Sequence, residues 1–162
     1  MLVISHRGNV SGKDSSIEND PTHIDRCIRG LELNVEIDLW IFENNQFVEF
    51  WLGHDEPQYE ISFEWLFTRR NFLWIHCKNM LALVYLHNHP ETEKLNFFWH
   101  ETDDFTITSR GYIWAYPGID VSLPIRGIAV MPEDSGLNIR NFYGICTDTP
   151  EKYLIHDKIS FV

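Results

Sequence analysis

Long apolar runs are missing from this sequence, whose 162 residues include no stretch of the 18 or more apolar residues that a membrane-spanning helix needs. The first residues, MLVISHRGNV, also lack the basic segment and the small-residue cleavage site of a secretory signal peptide. Basic residues are few, with 13 Lys and Arg against 24 Asp and Glu, and they form no basic patch for nucleic acid. We therefore expect a soluble, cytoplasmic protein with no transmembrane segment and no nucleic-acid partner.

Cysteine is scarce as well. Cys27, Cys77 and Cys146 are odd in number and far apart, have no CxxC spacing, and each lies among apolar residues. This pattern favours buried, reduced thiols over disulfides or a zinc site. Internal repeats, low-complexity segments and linkers are also missing, so we predict a single domain over residues 1–162.

Short apolar, β-branched and aromatic runs alternate with helical patterns in the first half of the chain, which predicts a parallel α/β architecture. Between residues 101 and 126 the chain is too short for full crossover helices, so either helices are missing there or some strands pair antiparallel. Asn44 and Asn45 separate two strand-like runs and predict a β-hairpin. Apart from the return strand of this hairpin, eight candidate strands end near residues 6, 40, 78, 101, 109, 117, 132 and 148.

Helix ends are marked by capping residues. Asp20 is placed to begin a first helix that should end at Gly30, and Ser62 and Asn79 are plausible caps for the next two. A last helical pattern covers residues 149–158.

The most unusual strand is LNVEIDLW (33–40), because it places two acidic residues, Glu36 and Asp38, on one face. The residues that alternate with them, Val35, Ile37 and Leu39, are aliphatic and point to the other face. A solvated strand face would explain this alternation. However, Trp40 continues the acidic face, and burying two carboxylates requires a cation or strong donors. The pattern therefore favours a strand whose acidic face lines a polar cavity and binds a metal ion.

Other polar residues lie at or near the ends of predicted strands. His6 and Arg7 end the first strand, His54 follows the hairpin, and His76 and Lys78 share one face of a later strand. Each has a simple alternative interpretation, since a lone histidine in a turn is often only a turn residue. Together they predict a site at one edge of the sheet.

The order of these motifs resembles the glycerophosphodiester phosphodiesterase family and, more loosely, the phosphatidylinositol-specific phospholipase C-like phosphodiesterases. HRG is followed by E-N, E-I-D-L-W, G-H-D-E, H-C-K and finally GICTDTPE, so the resemblance extends from residue 4 to about residue 153. It implies a TIM-type (β/α)8 barrel with its site at the carboxyl ends of the strands. Such barrels usually need about 250 residues. The barrel expected here is therefore shortened, with helices missing in its second half and a hairpin after strand 2.

The resemblance also implies one divalent cation, commonly Mg²⁺ or Ca²⁺, held by Glu36 and Asp38 with Glu18 in or next to the coordination shell. Where the family usually has a third acidic ligand, this chain has His76. An imidazole in that position would shift the preference toward Mn²⁺, Zn²⁺ or Fe²⁺. Alternatively, His76 does not bind the ion.

For catalysis, the resemblance implies that His6 and His54 act as an acid–base pair on the phosphodiester. The residues implied to contact the substrate or its phosphate are Arg7, Asn19, Lys78 and Trp114. The expected activity is hydrolysis of a small-molecule or lipid-headgroup phosphodiester. The alternative is a catalytically degenerate barrel that acts as a phosphate- and metal-binding accessory module. Outer strands that no helix covers would also expose apolar surface, which would favour association into a homo-oligomer.

Overall fold

A curled, mostly parallel β-sheet is the centre of the fold. The computed structural model describes residues 1–120 and 126–157. The strands are β1 (Leu2–His6), β2 (Asn34–Glu43), β3 (Val48–Leu52), β4 (Tyr59–Ile61), β5 (Leu73–Cys77), β6 (Phe97–Phe98), β7 (Phe105–Ile107), β8 (Ile113–Ala115), β9 (Gly127–Val130) and β10 (Gly144–Thr147). The α-helices are α1 (Pro21–Leu31), α2 (Phe63–Thr68), α3 (Met80–Asn88), α4 (Pro132–Ser135) and α5 (Glu151–Asp157). Within the described ranges, no helix has the length and apolarity needed to cross a membrane.

Seven strands run parallel in the order β6–β5–β2–β1–β10–β9–β8. β1 lies in the middle, where Ile4 pairs with Asn34 on one side and with Cys146 on the other. Because these strands are parallel, their carboxyl ends lie along the same edge of the sheet. The polar residues that follow these strands in the sequence are therefore brought to one side of the molecule.

The predicted hairpin is confirmed and extends the sheet by two antiparallel strands. β2 pairs with β3, which places Trp40 opposite Trp51. The Asn44 side chain stabilises the turn by accepting hydrogen bonds from the backbone N–H groups of Gln46 and Phe47. β3 then pairs with β4, a three-residue strand that the sequence patterns did not indicate.

The predicted helix caps are also confirmed. Asp20 accepts hydrogen bonds from two N–H groups in the first turn of α1, and Ser62 and Asn79 cap α2 and α3 in the same way. α1 runs to Leu31, past the predicted end at Gly30. α5 occupies most of the last predicted helix, of which residue 158 lies outside the described residues.

The second half of the sheet differs from the (β/α)8 barrel implied by the resemblance, because β7 runs antiparallel to β8, which is one of the two alternatives left by the length of the chain. The chain between them is a tight turn in which the Gly111 N–H donates to the Thr108 carbonyl at 2.8 Å. A turn this short cannot return the chain for a parallel pairing. The described residues between β6 and β8 contain no helix, so the antiparallel pairing accounts for the short connections there.

The interior of the curl is filled by side chains from six strands, namely Ile4, Trp74, Phe98, Trp114, Ile128 and Cys146. On the other face, α1, α2 and α3 cover a larger aliphatic core that includes Ile24, Leu66 and Leu86. Beyond β6, the Ser109 N–H donates to the Phe97 carbonyl at 2.8 Å, which connects this edge to the segment that follows β7. The sheet is thus curled like part of a barrel. The three cysteines are free and buried, as predicted.

One part of the outer surface is apolar and uncovered by the described residues. Phe105 and Ile107 of β7 are exposed, and they border a groove of about 610 Å³ between α3 and the β6–β7 region. The described residues between β6 and β8 form no helix that would cover this surface. A homo-oligomer remains a prediction.

Candidate functional site

Six of the predicted site residues line one cavity of about 390 Å³ at the carboxyl edge of the sheet, namely His6, Arg7, Glu36, His54, His76 and Trp114. We refer to it as the polar cavity. Asp38 and Asn19 contact Arg7 directly, and Lys78 contacts His54. Residues far apart in the sequence therefore meet because parallel strands end together.

The β1 strand ends in a tight turn that fixes Arg7. Arg7 and Asn19 both have left-handed φ angles, 53° and 62°, a conformation that asparagine adopts fairly readily but that is uncommon for arginine. Backbone hydrogen bonds hold them there. The Arg7 N–H donates to the Glu36 carbonyl at 3.0 Å, and the Asn19 N–H donates to the Arg7 carbonyl at 2.9 Å. The strained turn thereby holds the Arg7 guanidinium against the carboxylates.

Asp38 is the fully buried centre of the site. Its Oδ2 accepts a hydrogen bond from the Asn19 side chain at 3.0 Å and lies 3.0 Å from Arg7 Nε and 3.3 Å from His54 Nδ1. In return, Asn19 Oδ1 accepts the Asp38 backbone N–H at 2.9 Å. Burial alone would raise the pKa of Asp38, but contacts with His54, His76 and Arg7 hold this pKa well below its usual range.

The other oxygen of Asp38 belongs to a three-residue cluster with ligand atoms suitable for a metal ion. One ligand atom each from Glu36, Asp38 and His76 lies within 4.8 Å of the other two. Asp38 Oδ1 is 3.2 Å from His76 Nδ1 and 3.6 Å from Lys78 Nζ, yet it is buried and accepts no well-directed hydrogen bond. Burial and the charge of Asp38 raise the pKa of Glu36. A cation among these atoms would compensate both carboxylates.

His76 is held by contacts on the side away from the carboxylates. Its Nε2 lies 2.8 Å from the backbone carbonyl of His100, and its ring stacks on Phe98 with a centroid separation of 5.2 Å. The His100 side chain is itself partly buried, and this burial together with the neighbouring His76 lowers the pKa of His100.

The first predicted catalytic histidine, His6, is oriented by a carboxylate. Its Nδ1 lies 2.8 Å from Asp148 Oδ1, which also accepts a hydrogen bond from Asn9 Nδ2 at 2.7 Å. Burial would raise the pKa of Asp148, but His6 and Asn9 lower it. Neither Asp148 nor Asn9 was assigned a role from the sequence. The sequence offered one signal for each: Asn9 directly follows HRG, and Asp148 lies within GICTDTPE.

The second histidine, His54, reaches the same site from the end of the hairpin. Its Nδ1 faces Asp38, and its Nε2 lies 3.2 Å from Arg7 Nη2. The turn that places His54 here requires glycine at position 53, because a Cβ on Gly53 would lie 2.0 Å from the carbonyl oxygen of Glu56. His6 and His54 thus flank the buried carboxylate pair from different elements.

Glu18 lies beside Arg7 and is outside the three-residue cluster. Its two oxygens accept hydrogen bonds from Arg7 Nη1 at 3.2 Å and from Asn9 Nδ2 at 3.0 Å. Burial opposes the charge of the guanidinium, but Asp38, Glu36 and Glu18 outweigh this effect and raise the pKa of Arg7. Glu18 therefore supports Arg7 in this structure, and its binding to a cation remains a prediction.

Trp114, the predicted substrate residue, forms part of the cavity wall. It is largely buried, with its ring centroid 4.6 Å from that of Phe98 and 5.9 Å from that of Trp74. Tyr116 continues the same wall and is half exposed. The wall is aromatic, whereas the floor of the cavity is ionic.

No protein-family model, curated protein or solved structure matches this chain.

Proposed function

We propose that this protein is a metal-dependent phosphodiesterase of the glycerophosphodiester phosphodiesterase type, and that its curled sheet is a shortened (β/α)8 barrel. The observation that supports this most strongly is the position of two imidazoles, His6 and His54, beside the buried Glu36–Asp38 pair and next to Arg7. A phosphodiesterase needs these parts together: a site for a cation, a phosphate-binding arginine and an acid–base pair.

The cation site fits the residues present, because buried Asp38 Oδ1 lacks a hydrogen-bond donor and faces His76 Nδ1. Glu36, Asp38 and His76 would hold the ion, which would supply positive charge to the phosphoryl oxygens. Arg7 would donate hydrogen bonds to the same phosphate and stabilise the charge that develops in the transition state. Lys78, on the same face, would add positive charge near the phosphate.

Proton transfer would use the two histidines. Asp148 faces Nδ1 of His6, which leaves Nε2 to accept the proton of the attacking hydroxyl. As the new oxygen–phosphorus bond forms, the bond to the leaving oxygen breaks, and His54 donates a proton to that oxygen. The attacking group is either water or a neighbouring hydroxyl of the substrate. Attack by the substrate hydroxyl would give a cyclic phosphate first.

The substrate class that fits is a small-molecule or lipid-headgroup phosphodiester. The cavity of about 390 Å³ can hold a group of this size, and its aromatic wall at Trp114 suits the organic part of the substrate. Asn19 contributes by holding Asp38 through two hydrogen bonds.

The proposal is tested by measuring hydrolysis of bis(p-nitrophenyl) phosphate and glycerophosphocholine by the metal-free protein after addition of Mg²⁺, Ca²⁺, Mn²⁺ or Zn²⁺. We expect turnover that requires an added ion and is removed by a chelator. If no ion gives turnover while the protein still binds inorganic phosphate, the protein is a phosphate-binding accessory module and the proposal is wrong.

A further inference from the structure

The third potential ligand of the cation is an imidazole with a restricted orientation. His76 Nε2 lies 2.8 Å from the His100 carbonyl oxygen, and the His76 ring stacks on Phe98 with an interplanar angle of 7°. A carbonyl oxygen can only accept a hydrogen bond, so Nε2 carries the hydrogen. The remaining nitrogen, Nδ1, is directed at the two carboxylates.

This arrangement places three electron-rich atoms against one another. His76 Nδ1 lies 3.2 Å from Asp38 Oδ1 and 3.8 Å from Glu36 Oε1. A positive centre, either a proton or a metal ion, has to lie between them. Metal-binding histidines commonly donate their other ring N–H to a backbone carbonyl, which fixes the tautomer and the ring orientation. The His100 carbonyl provides this support for His76.

The spacing of the atoms also suits direct coordination. Two ligands that bind one ion at about 2.1 Å, at angles between octahedral and tetrahedral, lie roughly 3.0 to 3.4 Å apart. The 3.2 Å separation of His76 Nδ1 and Asp38 Oδ1 falls in this range, and the separation of 3.8 Å to Glu36 is slightly larger. Small side-chain shifts would bring all three atoms onto one ion.

We propose that this site selects a first-row transition-metal ion, such as Mn²⁺, Fe²⁺, Co²⁺ or Zn²⁺, over Mg²⁺ and Ca²⁺, with His76 Nδ1 as a direct ligand. The inference rests on the cation site of the proposed function but not on its catalytic activity. Mg²⁺ and Ca²⁺ favour oxygen ligands, and the neutral imidazole replaces a carboxylate that would attract them. Transition-metal ions retain strong bonds to imidazole nitrogen.

Metal binding to the full chain tests this directly. Dissociation constants for Mn²⁺, Zn²⁺, Mg²⁺ and Ca²⁺ would be measured by calorimetry for the wild type, for His76→Glu and for a control, His87→Ala, at an exposed histidine of α3. Most protein sites bind transition-metal ions more tightly than Mg²⁺ to some degree. The decisive quantity is therefore how the ratio of the Mg²⁺ and Mn²⁺ dissociation constants changes between the wild type and each variant. We expect His76→Glu to lower the preference for Mn²⁺ over Mg²⁺ by about tenfold or more, and His87→Ala to leave it unchanged.

Pulsed electron paramagnetic resonance of the Mn²⁺-loaded wild type gives an answer that does not depend on the folding of any variant. A histidine ligand should give a nitrogen coupling, which His87→Ala should retain and His76→Glu should lose. The proposal is overturned if the wild type shows no nitrogen coupling, binds no ion, or has the same ion preference as His76→Glu. Turnover with Mg²⁺ but without nitrogen coupling would refute only this inference, whereas nitrogen coupling without any turnover would refute only the phosphodiesterase activity.

Discussion

His6 Nδ1 and Asp148 Oδ1 lie 2.8 Å apart, across the ends of two adjacent parallel strands, β1 and β10. A carboxylate in this position orients an imidazole and stabilises its protonated form. The contact connects a residue near the start of the chain to one near the end of the described residues. It also provides the role for Asp148 that the sequence motif alone did not indicate.

Replacing Asp148 with asparagine should impair the proposed proton transfer more than substrate binding. An amide cannot stabilise the imidazolium of His6 by charge, so we expect kcat to fall by about ten- to a thousandfold while KM changes little. Steady-state kinetics over a pH series would measure both constants. Asp134→Asn, at an exposed position on α4, is the matched control. A kcat equal to that of the control would show that Asp148 has no part in the proposed proton transfer.

Asn19 should contribute strongly to stability. Its side chain exchanges two hydrogen bonds with buried Asp38, and its φ of 62° is poorly tolerated by most side chains. Asn19→Ala would leave the buried Asp38 N–H without a partner and remove one donor from Asp38 Oδ2, which should lower the free energy of unfolding by about 2 to 4 kcal/mol. Urea denaturation would measure this. Asn88→Ala, at an exposed position in α3, should cost far less, and equal losses would contradict the prediction.

Glu36 should make the metal-free protein less stable as the pH rises. Because burial and Asp38 raise its pKa in the folded state, its stabilising protonated form is fully present below the unfolded pKa of about 4.3. This contribution is lost as the pH rises through the folded pKa. At pH 7.5 without metal, Glu36→Gln should therefore unfold at a higher temperature than the wild type, with the difference shrinking toward low pH.

Adding Mn²⁺ or Mg²⁺ should reverse this order, because only the wild type retains both carboxylates for the ion. Thermal unfolding with and without metal would measure both effects. Glu60→Gln, at an exposed position in β4, is the control and should behave like the wild type. A Glu36→Gln variant that is less stable than the wild type in the absence of metal would contradict this account of the site.

Local features of the fold were predictable from the sequence because they depend on neighbouring residues. The capping residues Asp20, Ser62 and Asn79 and the turn at Asn44 act within a few positions of themselves. The antiparallel direction of β7 does not follow from the sequence, because the length of the chain limits the strand pairing without deciding it. Strand β4 was missed because three residues are too few to show an alternating pattern.

Most residues of the site were predictable from the sequence, but Asp148, Asn9 and the pairing of the side chains were not. Glu36 and Asp38 could be recognised as unusual because they alternate with aliphatic residues on one strand. The contacts of Asp148 with His6 and of Glu18 with Arg7 depend on how separate segments meet in space. Nothing in the local sequence specifies those partners, since a carboxylate in a loop is compatible with many contacts.

The most direct test of the central claim compares two substrates in His6→Ala and His54→Ala. p-Nitrophenolate leaves without protonation, whereas the alkoxide from glycerophosphocholine needs a general acid. We predict that His6→Ala lowers kcat/KM by about a hundredfold or more on both substrates, and that His54→Ala does so only on glycerophosphocholine. Wild-type rates in both variants, on both substrates, would contradict the assignment of these histidines as the acid–base pair.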